Sequence, residues 1–197
     1  MTDEILLDAF EQQEYGLKKE KTEEYFKSVA YHEAGHAYIA HLSGNTPAYI
    51  TITGRADFAG YVAPAVKEDK GQYSETELRW KIRELLAGRT CEMVCCEGDD
   101  AINTGASNDL EKASRLAISM VTEYGFVKDQ MIALPFEYQM NFGIPQDYLN
   151  IANQILLEEQ KECERLISDG KEKIEKLVQT VLQENSLMME DIKNVLS

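Results

Sequence analysis

Two spacings of hydrophobic residues divide the chain into helices and a short β ribbon. Apolar residues that recur every three to four positions form one face of a helix, whereas strict alternation is typical of a strand. The helical spacing predicts helices over residues 4–15, 23–43, 75–93, 109–124, 146–168 and 171–184, and a short last helix that ends at Leu196. Residues 49–53 and 58–63 predict two strands joined by a turn. We therefore expect a mostly α (α+β) fold with a small β ribbon and a C-terminal helical hairpin.

Capping residues support the starts of three of these helices. Thr22 has a side chain that can cap the helix over residues 23–43. Ser74, followed three residues later by Glu77, forms a capping-box pattern before the next long helix. Ser107 or Asn108 is expected to cap the helix after that.

The first long helix carries a pattern with a chemical meaning. His32, Glu33 and His36 form H-E-x-x-H, and residues four apart lie on the same helical face. Both imidazoles can therefore bind one Zn²⁺, with room for a third ligand and a water. Zinc lowers the pKa of that water from ~15.7 to about 7, and Glu33 is placed to accept its proton. A surface helix with two histidines is the alternative, but all three histidines of the chain lie within ten residues.

The spacing alone leaves the third metal ligand open. A longer zinc motif needs glycine at position 39 and histidine at position 42, and the chain has Ile39 and Leu42 there. His41 lies about 140° around the helix from His36, so it is expected to face away from the metal. The remaining candidates are Glu92, Asp99, Asp100, Asp109 and the cysteines.

Charge and hydropathy exclude several kinds of partner. The 197 residues carry a net charge of −15, which argues against binding to nucleic acid or anionic membranes. No signal-peptide pattern opens the chain, and no apolar run approaches the ~18 residues that a membrane helix needs. We expect a cytoplasmic chain that makes no membrane contact itself.

The cysteines are Cys91, Cys95, Cys96 and Cys163. No C-x-x-C pair occurs among them, and their flanking residues are typical of a core. We expect small buried thiols in a reducing compartment, rather than a second metal site or a disulfide.

A resemblance to a known family rests on four segments, which in chain order are HEAGHA, TITGRADFAGYV, LLAGRTCEMV and INTGASNDLEKASRLAISMVTEYGF. These segments resemble the peptidase domain of the FtsH-type AAA (ATP-dependent) zinc metalloproteases, from about residue 20 to residue 128 and weakly beyond. The resemblance implies a helical, zincin-like metallopeptidase domain with one Zn²⁺ per chain. It also implies that His32, His36 and Asp109 are the zinc ligands and that Glu33 is the catalytic base.

The same resemblance implies a division of the chain and a set of partners. Residues 1–20 would be a linker or short helix that follows an absent ATPase module, 21–145 the zinc peptidase core, and 146–197 a helical segment of the same domain. The implied partners are an unfolded or threaded polypeptide substrate, the AAA ATPase module of the parent protein, and further copies of the chain in a hexamer. Parent proteins of this family are usually anchored in a membrane. No G-x-x-x-x-G-K-[ST] motif occurs, so the chain is not expected to hydrolyse ATP by a P-loop mechanism.

Further candidates lie around the metal. Phe58, Ala59 and Gly60 begin the second predicted strand, whose exposed edge would accept an extended substrate, and Gly60 would let another backbone come close. In the family the segment that contains Glu92 lies near the metal, so Glu92 either supports a metal ligand from behind or is a plain surface carboxylate. Gly88 is expected to allow close packing against the zinc helix. The alternative function is a ring-forming or adaptor module with a structural or lost metal.

Overall fold

The elements predicted from the hydrophobic pattern form most of the computed structural model, which describes residues 22–53, 60–65, 71–96, 104–127 and 132–197. The helices are α1 (Glu23–Leu42), α2 (Glu75–Cys95), α3 (Ser107–Thr122), α4 (Phe136–Phe142), α5 (Gln146–Asp169), α6 (Lys171–Glu184) and α7 (Met189–Leu196). The strands are β1 (Tyr49–Thr51), β2 (Tyr61–Ala63) and β3 (Ser186–Met188). The expected fold class, mostly α with a small β component, is confirmed. The helix predicted over residues 4–15 lies outside the described residues.

The sheet has three antiparallel strands in the order β2-β1-β3, one more than the predicted ribbon. Ile50 in the central strand is opposite Val62 on one side and Leu187 on the other. We expected residues 187 and 188 in the last helix, with Asn185 or Ser186 as its cap. Instead Asn185 adopts a left-handed conformation (φ 62°) after α6, which turns the chain into β3. A strand of three residues is too short to show a period of two.

Two of the predicted helix starts are confirmed. Tyr25 N donates a hydrogen bond to Thr22 Oγ1 (3.2 Å) at the start of α1. Before α2, Glu77 N donates to Ser74 Oγ (3.3 Å) and Ser74 N donates to the Glu77 carboxylate (2.9 Å). These bonds satisfy backbone N–H groups that have no partner within the helix.

The predicted cap of α3 is wrong. A 3-10 turn, Thr104–Ala106, leads directly into the helix, so Ser107 and Asn108 belong to its first turn and no side chain caps it. Asp109 therefore lies in the first helical turn, where the helix dipole favours a carboxylate. This rigid start fixes the backbone of Asp109 relative to its neighbours.

Helix α2 connects the two hydrophobic clusters of the domain. Ala87 and Cys91 pack in the larger cluster, and Ile82 and Leu86 pack in the smaller one. The larger cluster includes Ile39, Ile50, Cys163, Ile167, Ile174, Leu177, Leu187 and Ile192, and the smaller one includes Ala113, Met120, Val121 and Ile155. One face of α2 thus carries α1 and another carries α3, which brings the H-E-x-x-H helix and the start of α3 together.

Residues 132–135 form no regular element and lead into α4 (Phe136–Phe142), a helix that the hydrophobic spacing did not predict and in which no residue is buried. Phe136 and Phe142 keep 71% and 76% of their surface exposed. Among the described helices, none has the length and apolar composition required to span a membrane.

Candidate metal centre

Helices α1 and α3 bring three potential metal ligands to one point. On α1 the Nε2 atoms of His32 and His36 are 3.1 Å apart, as expected for residues one turn apart. Asp109 Oδ2, from the first turn of α3, lies 3.5 Å from His32 Nε2 and 3.3 Å from His36 Nε2. These three residues form the only such group among the described histidines, cysteines and carboxylates.

The spacing of these donor atoms fits a single zinc ion. In a tetrahedral site with bonds of about 2.0–2.1 Å, two ligand atoms lie about 3.3–3.4 Å apart. The observed separations of 3.1, 3.3 and 3.5 Å bracket that value. Two imidazoles and one carboxylate are also a common ligand set of catalytic zinc, with the fourth position left for water.

A backbone carbonyl fixes the tautomer of His36. His36 Nδ1 lies 2.7 Å from the carbonyl oxygen of Glu84 on α2. A carbonyl oxygen only accepts hydrogen bonds, so Nδ1 carries the proton and donates it. In the neutral ring Nε2 then presents its lone pair towards His32 and Asp109, which is the arrangement that a metal ligand requires.

Glu92, which like Glu84 lies on α2, contacts His32. Its Oε2 lies 3.3 Å from His32 Nδ1, and its Oε1 accepts a hydrogen bond from Ser28 Oγ (2.8 Å). The alternative of a plain surface carboxylate is wrong, because only 3% of Glu92 is exposed. Ser28, Glu92 and His32 thus form a hydrogen-bonded chain that leads towards the metal-binding nitrogen.

Two glycines let α1 and α2 approach closely enough for these contacts. A Cβ at Gly88 would lie 2.5 Å from the Nε2 atoms of both His32 and His36. A Cβ at Gly35 would lie 2.5 Å from Cys91 Cβ and 2.6 Å from the carbonyl oxygen of Ala87. The predicted close packing at Gly88 is therefore confirmed, and a side chain there would enter the space beside the metal-binding atoms.

Several of these contacts were not predicted. Ser28, one turn before His32, and the Glu84 carbonyl were missed, although both follow the four-residue spacing of one helical face. Positions 84, 88 and 92 lie on successive turns of α2, and each contacts or faces an imidazole of the pair. A regular spacing of four on two adjacent helices was the available signal.

The acidic residues shift the titration of the site. Burial lowers the pKa of His32, but the hydrogen bonds that its ring donates to Asp109 and Glu92 outweigh this effect and raise the pKa to about 10. Burial raises the pKa of Asp109, yet its hydrogen bonds to His32 and His36 hold it well below its ordinary value. The cluster therefore stabilises positive charge. Without metal this charge is a proton on the His32 imidazole, and with metal it is the bound cation.

Glu33 lies beside this cluster and is nearly buried, with 8% of its surface exposed. Burial raises the pKa of its carboxyl group, whereas His36 and His32 lower it. Its side chain faces the main chain at Gly60, just before β2: a Cβ on Gly60 would lie 2.9 Å from Glu33 Oε1. Glu33 is thus close to the histidine pair and within contact distance of the residue that precedes β2.

The other candidates lie elsewhere or outside the described residues. His41 Nδ1 is 2.9 Å from Thr46 Oγ1, and His41 does not belong to the metal-binding group. The four cysteines are free thiols: two are buried, two are half-buried, and none joins the group. Phe58, Ala59, Asp99 and Asp100 lie outside the described residues.

Comparison with known proteins agrees with the geometry. A family model described as Peptidase family M41 matches residues 19–195. The ATP-dependent zinc metalloprotease FtsH 1 of Thermoanaerobacter sp. is 31% identical over 186 residues, covering 86% of this chain and 30% of that protein. The ATP-dependent zinc metalloprotease FtsH of Acholeplasma laidlawii is 36% identical over 180 residues, covering 86% of this chain and 26% of that protein. The chain thus spans less than a third of the length of these relatives.

Proposed function

Because the chain belongs to Peptidase family M41, we propose that it is a zinc-dependent endopeptidase domain that hydrolyses peptide bonds of unfolded or threaded polypeptides. The observation that carries this proposal is the group of His32, His36 and Asp109, whose donor atoms are 3.1–3.5 Å apart. We assign these three residues as ligands of one Zn²⁺. The choice of zinc is supported by the ligand set and by the relatives, which are zinc metalloproteases by name.

The chemistry follows from what surrounds the ligands. Bound zinc would supply a water of lowered pKa and an electrophile for the scissile carbonyl oxygen. Glu33 accepts the proton of the attacking water and then delivers it to the departing amine nitrogen, so it ends the cycle in its starting state. Glu92 and the Glu84 carbonyl hold the ligand imidazoles in orientation.

The sheet supports a binding mode for an extended substrate. In the described part of the chain, β2 pairs with β1 along one edge, and its other edge is not paired with a strand. An extended polypeptide that adds to this edge would be held mainly by main-chain hydrogen bonds, with little demand on its sequence. We propose that Phe58, Ala59 and Gly60 contribute to this binding. The position of Gly60 next to Glu33 supports the idea, because it places the start of the strand beside the catalytic residue.

The remaining proposals concern the parent protein. We propose that the domain works with an AAA ATPase module on the cytoplasmic side and assembles with further copies of itself, as a hexamer by family resemblance. Residues 21–145 would form the peptidase core and 146–197 a helical part of the same domain. The packing of α5, α6 and α7 against α1 in one hydrophobic cluster supports treating both parts as one unit.

The test combines metal analysis with cleavage of an unfolded substrate such as casein. We expect Glu33→Gln to keep zinc and lose cleavage, because the amide cannot accept a proton. Asp109→Ala is expected to weaken zinc retention. A chelator should abolish wild-type cleavage. Normal casein cleavage by Glu33→Gln, or wild-type cleavage that a chelator does not reduce, would contradict the mechanism. Absent cleavage by a zinc-loaded wild-type chain would favour the adaptor alternative.

A further inference from the structure

Gly60 is packed against the side chain of Glu33. Gly60 is buried and lies immediately before β2, which starts at Tyr61. A Cβ on Gly60 would lie 2.8 Å from Glu33 Cγ, 2.9 Å from Glu33 Oε1 and 2.7 Å from Val29 Cγ1. Two of these three contacts are to Glu33. Because Gly60 has no side chain, the carboxylate of Glu33 can occupy the space next to its main chain.

The backbone around Gly60 is fixed more firmly than the side chain it faces. Tyr61 pairs with Thr51 of β1, and Ala48 N donates a hydrogen bond to Ala63 O (2.9 Å). The Glu33 side chain has three rotatable bonds, and its carboxylate is the far end of a flexible chain. A contact below 3.0 Å at a Cβ forces something to move. The Glu33 side chain is the part that moves at least cost, because moving the strand would break ladder hydrogen bonds.

We propose that Gly60 is a positioning residue for Glu33: its bare main chain at the start of β2 holds the carboxylate at the place where it exchanges protons with water and the leaving amine. The inference rests on the proposed function, in which Glu33 is the base. It differs from a role for Gly60 in substrate contact, which would act on substrate binding instead of proton transfer. It also differs from the role of Gly88, whose Cβ would meet the metal-binding nitrogens.

The experiment measures kcat and KM for an unfolded peptide substrate, zinc per chain and Tm for the full chain and its Gly60→Ala variant. We expect kcat to fall about 100-fold, because a displacement of about 1 Å in a catalytic group has this effect. A rise in KM is expected as well, because Gly60 is also proposed to contact the substrate, so the fall in kcat at saturating substrate is the diagnostic result. Zinc content should equal that of the wild type. An unchanged kcat, or a rise in KM at constant kcat, would overturn the inference.

A second pair of variants shows which contact matters. Val29→Ala removes the other side chain that a Cβ on Gly60 would meet. If Glu33 displacement causes the defect, Gly60→Ala keeps its full effect on kcat when it is combined with Val29→Ala. Recovery of kcat in that double variant would place the cause in helix packing and overturn the inference.

Stability supplies a measure that does not depend on activity, and it applies even if Gly60→Ala is poorly active or unstable. Glu33→Ala removes both Glu33 atoms that crowd the new Cβ. Gly60→Ala should therefore lower Tm less in the Glu33→Ala background than in the wild type, which a double-mutant cycle quantifies. Equal losses in both backgrounds would contradict the contact. Normal cleavage by Glu33→Gln would instead refute the proposed function, whereas an inactive Glu33→Gln beside a fully active Gly60→Ala refutes only this inference.

Discussion

The metal centre and helix α4 are built in opposite ways. At the metal centre, polar groups are buried and partnered: Glu92 bonds to Ser28 and His32, and His36 bonds to a main-chain carbonyl. In α4, large apolar residues face solvent and none is buried. Burying polar groups is costly unless each finds its partner, so a site of the first kind constrains many positions at once. An exposed helix such as α4 constrains few positions. We therefore expect substitutions in the metal centre to have much larger effects than substitutions in α4.

The largest effect is expected from Gly88→Ala. Its new Cβ would lie 2.5 Å from Nε2 of both His32 and His36, so at least one ligand must move. We expect loss of zinc retention and of peptide cleavage, measured by metal analysis and a casein assay. Full zinc occupancy in this variant would show that the close approach of α1 and α2 does not shape the site.

A matched pair of substitutions on α2 separates side-chain from main-chain support. Glu92 holds His32 with its carboxylate, whereas Glu84 holds His36 with its backbone carbonyl. Glu92→Gln is expected to weaken zinc binding about 10–100-fold, the usual cost of losing an outer partner of a ligand histidine. Glu84→Gln keeps the carbonyl and should leave zinc affinity unchanged. Chelator competition measures both, and equal effects of the two changes would contradict this division.

The smallest effect is expected in α4. Phe142 is 76% exposed, so Phe142→Ser removes little buried surface. The free energy of unfolding should change by no more than about 0.5 kcal/mol, as for most surface substitutions. Denaturant unfolding of the zinc-loaded chain checks this value, and zinc content serves as the control. A loss of several kcal/mol would show that this helix is packed in solution.

The same contrast explains what the sequence predicted. The pair His32 and His36 follows from a spacing of four on a helix, because local geometry alone places both rings on one face. Asp109 is more than seventy residues away, and only the family resemblance selected it from the other carboxylates. The Glu84 carbonyl was not predicted: its spacing of four from Gly88 indicates its helical face, but every residue has a carbonyl and only tertiary packing decides which one meets a histidine.

Short and exposed elements were the least predictable. β3 has three residues, which show no periodicity, and it depends on a left-handed turn at Asn185 and on pairing with β1. Helix α4 buries no face, so no helical spacing of apolar residues predicted it. In both cases the information that decides the structure lies in distant contacts or in the weak preferences of exposed residues.

The central claim is that one zinc ion is held by His32, His36 and Asp109. A crystal structure of the zinc-loaded chain, with anomalous data collected on both sides of the zinc absorption edge, tests it most directly. We predict one anomalous peak, about 2.0–2.1 Å from Nε2 of each histidine and about 2.0–2.2 Å from a carboxylate oxygen of Asp109. A chain without zinc at this point, or with zinc bound there while Asp109 lies beyond coordinating distance, would contradict the account.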